Sequence, residues 1–473
     1  MQKLENLLER IIRRLNLNLR SFDFDAGPYL RECIPLPQLL KFYGFYAVSA
    51  HHPIHFHFSN SNLAGSYFLG KCRVENAILY KSDIRGDELK CKGDAFQHRN
   101  FKLTLDQDEL IWIADSFLIK TLVHNRSHDP ENPEIYHIRN SAACHYANIH
   151  GAPMEGSFLG AFSTADLTAL HGCVLGSYAY VQAGELWHQK IEPGQVWINH
   201  YNNFDFKYQF PEAVLERYVQ FTAGNPPRGL FMDFIESRKP DFRKVFDVVN
   251  LDPSTSVPES SSASRYAVIK PETHIGENVL VAQRAYIENS ALGNGTNAQE
   301  NCFIINSKLA GNNVTAHGAK IINAVLEEKA FVGFNSLVRG APDTPLAIGR
   351  GTVIMPHTII DVEAPLSIPA GQLVWGYIST PDELATHSLA LQDLEKTTSG
   401  LNIGRMEFRG SGPRFVASFR NRIEHILEAN GAYFDGTGRR GHGQKSQNVS
   451  YNIIQAYPFG PRQGIYPTID IQP

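Results

Sequence analysis

Two histidines and an aspartate in the first half of the chain carry residue types suited to metal-assisted or acid–base chemistry: His150 in CHYANIHG, then Asp166 and His171 in TADLTALHG. Imidazole nitrogen and carboxylate oxygen both bind zinc, and three such ligands with water in the fourth position form a hydrolytic centre. Upstream, KSDIRGDELK sets Arg85, Asp87 and Glu88 after an apolar Ile84. These are a cation suited to holding a developing anion and two acids suited to moving protons. In the second half, GNNVTAHGAK offers His317 as a general base, with a hydrogen-bonded interface histidine as the alternative. His55 and His57 alternate with phenylalanines, so they share one strand face and are either a chelating pair or a plain polar face. His145 follows Cys144 directly, so on a strand the two point to opposite faces.

The elements that position these residues follow from apolar residues recurring in steps of six. Ile275, Val281 and Ile287 form one trio, Leu292, Ala298 and Ile304 a second, and Ala310, Ala316 and Ile322 a third. Such spacing predicts a parallel β-helix, each trio being one triangular coil of three short strands with its aliphatic residues turned inward. Gly276, Gly293, Gly311, Gly333 and Gly349 fall beside turns, where a left-handed or tightly packed backbone favours glycine. Similar steps occur at Leu63 and Leu69, at Ile78 and Ile84, and at Leu175 and Val181. The closing coils KIEPGQVWINH and LSIPAGQLVWGYIS resemble one another. The expected fold is therefore mainly β, with two tandem parallel β-helices and flanking and connecting α-helices. The predicted segments are an N-terminal helical part over 1–50, a first β-helix over 51–200 and a helical connector with a Ser/Pro linker over 201–265. A second β-helix over 266–378, helices over 379–432 and an irregular tail over 433–473 complete the chain.

Composition bounds the function. The chain has 473 residues and a net charge of −4, which gives no broad attraction to nucleic acid or to anionic membrane. Six cysteines without a CxxC pair suggest reduced, buried thiols. The opening MQKLENLLERIIRRLNLNL mixes charge with leucine, as an amphipathic helix does and a signal peptide does not. No run reaches the length of a membrane span. The expectation is a soluble, cytoplasmic protein acting on a small molecule.

The six-residue repeat, the I-P-A-G exit, the I-R-G-D stretch and the L-H-G-C coil together resemble the hexapeptide-repeat, left-handed parallel β-helix superfamily. Its members are mostly acyltransferases, sugar-nucleotide enzymes and γ-class carbonic anhydrases. The carbonic anhydrase resemblance implies a zinc site made of His150, Asp166 and His171, although Asp166 stands where that family has histidine and Cys144 where it has glutamine. It implies Asp166 supplied by a neighbouring subunit, Glu88 as proton shuttle, and Arg85 pairing with Asp87 between subunits of a homotrimer. In the second helix Gln299, Glu300 and His317 match further motif positions, but Ile305 and Ile322 stand at the remaining ligand positions and cannot bind zinc. Three readings result: a metal-dependent hydratase or hydrolase, an acyl-CoA-dependent acyltransferase with a histidine base, and a non-catalytic assembly protein.

Overall fold

A β-helix stands when one residue of each short strand turns inward and meets its counterpart one coil further on. The computed structural model describes residues 1–40, 43–49, 51–52, 54–98, 101–126, 135–246, 256–447, 449–455, 460 and 463–472. It holds two such helices, each in its own compact unit. One unit comprises Met1–Gln195, Leu215–Met232 and Val449–Pro473, and the other Val196–Val214 and Asp233–Asn448.

In the first unit Leu79, Leu118, Ala143, Leu159, Leu175 and Ile191 stack on one wall. Phe68, Ile84, Val123, Ile149, Ala165 and Val181 stack on another. The regular coil spans 16 residues. Ile84, Leu175 and Val181 thus point inward as the six-residue steps predict, whereas Leu69 and Ile78 do not. Leu69 stands opposite Arg85, leaving Phe68 as the inward residue, and Ile78 faces the N-terminal helix, leaving Leu79 inward. Apolar residues flank both positions, so spacing alone allowed a slip of one. Serines knit successive coils at one corner, Ser141 Oγ accepting from Ser157 N at 3.1 Å and Ser157 Oγ from Cys173 N at 3.0 Å.

The helix Gln2–Asn18 buries Leu4, Leu7, Leu8, Ile11, Ile12 and Leu15 against the outward Ile78, Phe117, Ala142, Phe158 and Val174. This gives the amphipathic start of the chain its docking face. Arg10 and Arg14 reach Asp115 at 2.9 and 3.1 Å. Where the sequence suggests an irregular tail, strand Ser450–Gln455 pairs antiparallel with Tyr43–Val48, and Ile469–Ile471 with His55–Ser59.

The β-helix of the second unit has three sheets of eight, seven and six strands. Its core wall reads Ile287, Ile304, Ile321, Val338, Ile360 and Ile378 on coils of 17 residues where regular. The third trio is therefore Leu309, Thr315 and Ile321, one residue earlier than the aliphatic pattern suggests. Threonine at an inward position hid the register. Asn289, Asn306 and Asn323 occupy one corner at φ 42°, 49° and 49°, their amides bonded in series at 3.0 and 3.1 Å. Asparagine tolerates this left-handed conformation and supplies the link between coils. Gly293 serves close approach instead, since a Cβ there would meet the Ala310 carbonyl.

The start of the expected helical stretch 379–432 is broken by a strand. Thr380 and Glu383 form a capping box on Pro381–Thr386, but Ser388–Ala390 then pairs antiparallel with Gln372–Val374. Residues 251–255 of the expected linker lie outside the described residues, and Ser262–Ala263 already pairs with Leu280–Val281 in the second β-helix.

Candidate active site

Strand alternation puts every second side chain outside, and register decides which of them meet. In the first unit Asp83–Glu88 pairs with Leu122–Arg126, that strand with Asn148–His150, and that with Thr164–Asp166. One residue beyond the inward Ile84, Val123, Ile149 and Ala165, the side chains Arg85, His124, His150 and Asp166 form an outward row.

Within this row His150 Nδ1 lies 2.8 Å from Asp166 Oδ1. Asp166 is fully buried, and its other oxygen accepts from the Tyr180 hydroxyl at 2.5 Å. Tyr180 comes from the next coil, opposite Thr164. Because Asp166 engages Nδ1, the basic nitrogen of the neutral His150 ring is Nε2. An imidazole oriented by a buried carboxylate, with 13% of its own side chain exposed, has the geometry of a general base. The second ring has its own acid, His124 Nε2 lying 3.4 Å from Glu88 Oε1. The two imidazoles meet edge to face, with centroids 5.1 Å apart and ring nitrogens within 4.8 Å.

Arg85 donates from Nε and Nη2 to Asp87 Oδ1 and Oδ2 at 3.1 and 2.6 Å. Burial works against the charged guanidinium, but Asp87 outweighs it and holds the Arg85 pKa above its ordinary value. The resemblance assigns Arg85 an acid across a subunit boundary, but its partner here stands two residues along the same strand. Arg85 and Asp87 therefore form a clamp, and Glu88 turns to His124.

His171 stands elsewhere. A corner with Leu167 at φ 46° separates Thr164–Asp166 from Thr168–His171, whose strand pairs with Met154–Glu155 and Gly184–Trp187. His171 stacks on Trp187, centroids 3.9 Å apart at 12°, with Nε2 3.2 Å from Glu185. Asp166, expected from a neighbouring subunit, is bonded to His150 of its own chain. Among the described residues of this one chain, His150 and Asp166 come together while His171 lies on a different strand.

Among the other candidates, His57 has Nδ1 2.6 Å from Asp470 and Nε2 3.4 Å from Glu75, a tie between coil and tail. Burial pushes the His145 pKa well below its ordinary value, with Lys120 adding to the shift, and its Nδ1 lies 3.9 Å from Cys33 Sγ. Cys144 packs 3.8 Å from the same sulfur.

In the second unit His317 occupies a corner rather than a strand, with Nδ1 2.8 Å from Glu300 Oε2, and both side chains are almost wholly buried. Ile305 and Ile322 stand in line, followed by Arg339 and Asp361 in a bidentate pair at 2.6 and 2.7 Å. Nearby Lys320 is buried, its Nζ donating to the Gly318 carbonyl at 2.7 Å, and burial lowers its pKa to about 7.

His124 and Tyr180 escaped the sequence reading. His124 and His150 lie 26 positions apart in the sequence, against 16 for the regular coil, so no fixed spacing links them. The alternation of Tyr180 with inward Val181 was the available signal for the tyrosine.

Coils of short parallel strands stacked in register define a β-helix fold, and comparison with known proteins places the chain in a family of that fold. The model "Hexapeptide repeat including loop" matches residues 101–223. A solved structure from Desulfovibrio desulfuricans G20, assigned by its description as an acetyltransferase, is 53% identical over 100% of this chain and 99% of that one, with a TM-score of 0.93. The chain belongs to the hexapeptide-repeat, left-handed parallel β-helix superfamily and shares a family with that protein. An assigned acetyltransferase of Bacillus cereus is 12% identical over 38% of this chain and 94% of that one, with a TM-score of 0.18. A UDP-N-acetylglucosamine acyltransferase of Francisella novicida is 13% identical over 70% of this chain and 89% of that one, with a TM-score of 0.14. These two carry no weight at such scores. No curated protein matches the sequence significantly. No helix among the described residues is long and apolar enough to cross a membrane.

Proposed function

We propose that the protein is an acyltransferase that moves an acyl group from a coenzyme A thioester to a small nucleophile, with His150 as general base. The observation that carries this reading is the His150–Asp166 hydrogen bond, 2.8 Å long and anchored from behind by Tyr180. His150 Nε2 removes a proton from the attacking amine or hydroxyl as the bond to the thioester carbon forms, and Asp166 stabilises the resulting imidazolium. The carbon–sulfur bond then breaks and the coenzyme leaves as its thiolate. The near-complete alignment with the assigned acetyltransferase of Desulfovibrio desulfuricans supports the same reading.

The test is acetyl-CoA turnover against a pool of amines, amino sugars and alcohols, followed by release of the coenzyme thiol. The reading predicts thiol release that depends on an acceptor in the pool, and an upward shift of the melting temperature with acetyl-CoA. Absence of both thiol release and a melting shift would overturn it.

A further inference from the structure

The described row holds two histidine–acid pairs, whereas transfer to a hydroxyl requires the removal of only one proton. His124 with Glu88 and His150 with Asp166 face each other with the acids on the outer sides, and the two rings approach within 4.8 Å. The rings come from adjacent strands in direct register, so the approach is fixed by the β-helix itself. Arg85 is already matched by Asp87 in a bidentate pair. The carboxylates oriented toward the imidazoles are thus Glu88 and Asp166. Resting on the acyltransferase reading, we propose that the acceptor is a primary amine bound as its ammonium, and that His124, backed by Glu88, is a second catalytic base.

An alkylammonium must lose two protons to become an amide nitrogen, and the two imidazoles divide the task. His124 takes the first proton, which uncovers the nitrogen lone pair, and Glu88 stabilises the imidazolium that forms. The lone pair then attacks the thioester carbon while His150 takes the second proton. The tetrahedral intermediate collapses, the carbon–sulfur bond breaks and the sulfur keeps the electron pair. One imidazolium protonates the thiolate and the other releases its proton to water. The sum is ammonium plus thioester giving amide, thiol and one proton, with no further reactant.

The experiment uses the full chain, acetyl-CoA and glucosamine, which presents an ammonium and hydroxyls together, with O-methylhydroxylamine as a second acceptor whose nitrogen is already neutral at pH 7. Product is identified by mass spectrometry and NMR. Wild type should give the N-acetyl product. His124→Asn should lower transfer to glucosamine by about a hundredfold, the usual size of a lost acid–base step, while keeping transfer to O-methylhydroxylamine within about threefold of wild type. His150→Asn should lower transfer to both acceptors. An O-acetyl product, or equal losses with both acceptors in His124→Asn, would overturn the proposal while leaving acyl transfer in place. Absence of transfer to either acceptor by the wild type would count against the acyltransferase reading itself, and the amine proposal would fall with it. His124→Gln, checked for wild-type thermal stability, separates loss of the base from loss of fold.

Discussion

The two β-helices present the same strand position in two different chemistries. In the first unit the outward row beside the core reads Arg85, His124, His150 and Asp166, and in the second it reads Ile305, Ile322, Arg339 and Asp361. Both rows carry the arginine of a bidentate arginine–aspartate clamp, Arg85 with Asp87 on its own strand and Arg339 with Asp361 one coil on. Only the first combines its clamp with imidazoles. The inward ladder and the corner links suffice to build a coil, so the outward positions are available for function, and two isoleucines in the second unit fill them with packing instead.

Breaking the clamps should have the largest effect on stability. Arg85→Ala leaves Asp87 buried without its partner and should cost about 4 kcal/mol, measured by urea unfolding. Arg339→Ala should cost less, since Arg339 is 31% exposed and water replaces part of the interaction. Equal losses would show that the two clamps are not distinguished by burial. Next in size is the shared ladder, where Ile149→Ala and Ile304→Ala should each cost about 3 kcal/mol through the cavity they leave. A cost below about 1 kcal/mol at either would contradict its inward placement.

The two units also differ in what they bury. Lys320 has a folded pKa of about 7, below the ordinary 10.5, so the unfolded chain binds more protons between those values and wild-type stability rises with pH across that window. Lys320→Met should therefore be more stable than wild type at pH 6, by on the order of 2 kcal/mol, with the gain shrinking toward pH 10. A gain independent of pH would refute a buried amine as its cause. The smallest effect is expected at Tyr180, where Tyr180→Phe removes one hydrogen bond to Asp166 and should lower acyl transfer about threefold. An unchanged rate would detach the tyrosine from the base.

Much of this architecture was legible in the sequence, because steps of six aliphatic residues have few other physical explanations. Register was less legible. Ile84, Ile287 and Ile304 were placed correctly, whereas Leu69, Ile78 and the third trio slipped by one where an apolar neighbour or the inward Thr315 blurred the pattern. The site was half visible. His150 and Asp166 lie one regular coil apart and could be paired from spacing, but the corner at Leu167 that diverts His171 leaves no compositional trace. His124 was hidden because its distance from His150 in the sequence departs from the regular repeat, and its placement emerges only once strand pairing sets it against His150.

The most direct measurement compares one residue from each row by the initial rate of coenzyme release from acetyl-CoA in the presence of the acceptor pool, in variants that melt as wild type does. His150→Asn should lower that rate by at least about a hundredfold, and Ile322→Val, a change at an equivalent outward position in the second unit, should leave it within about twofold. A His150→Asn variant that retains the wild-type rate, or an Ile322→Val variant that loses it, would contradict the assignment of the chemistry to the first β-helix.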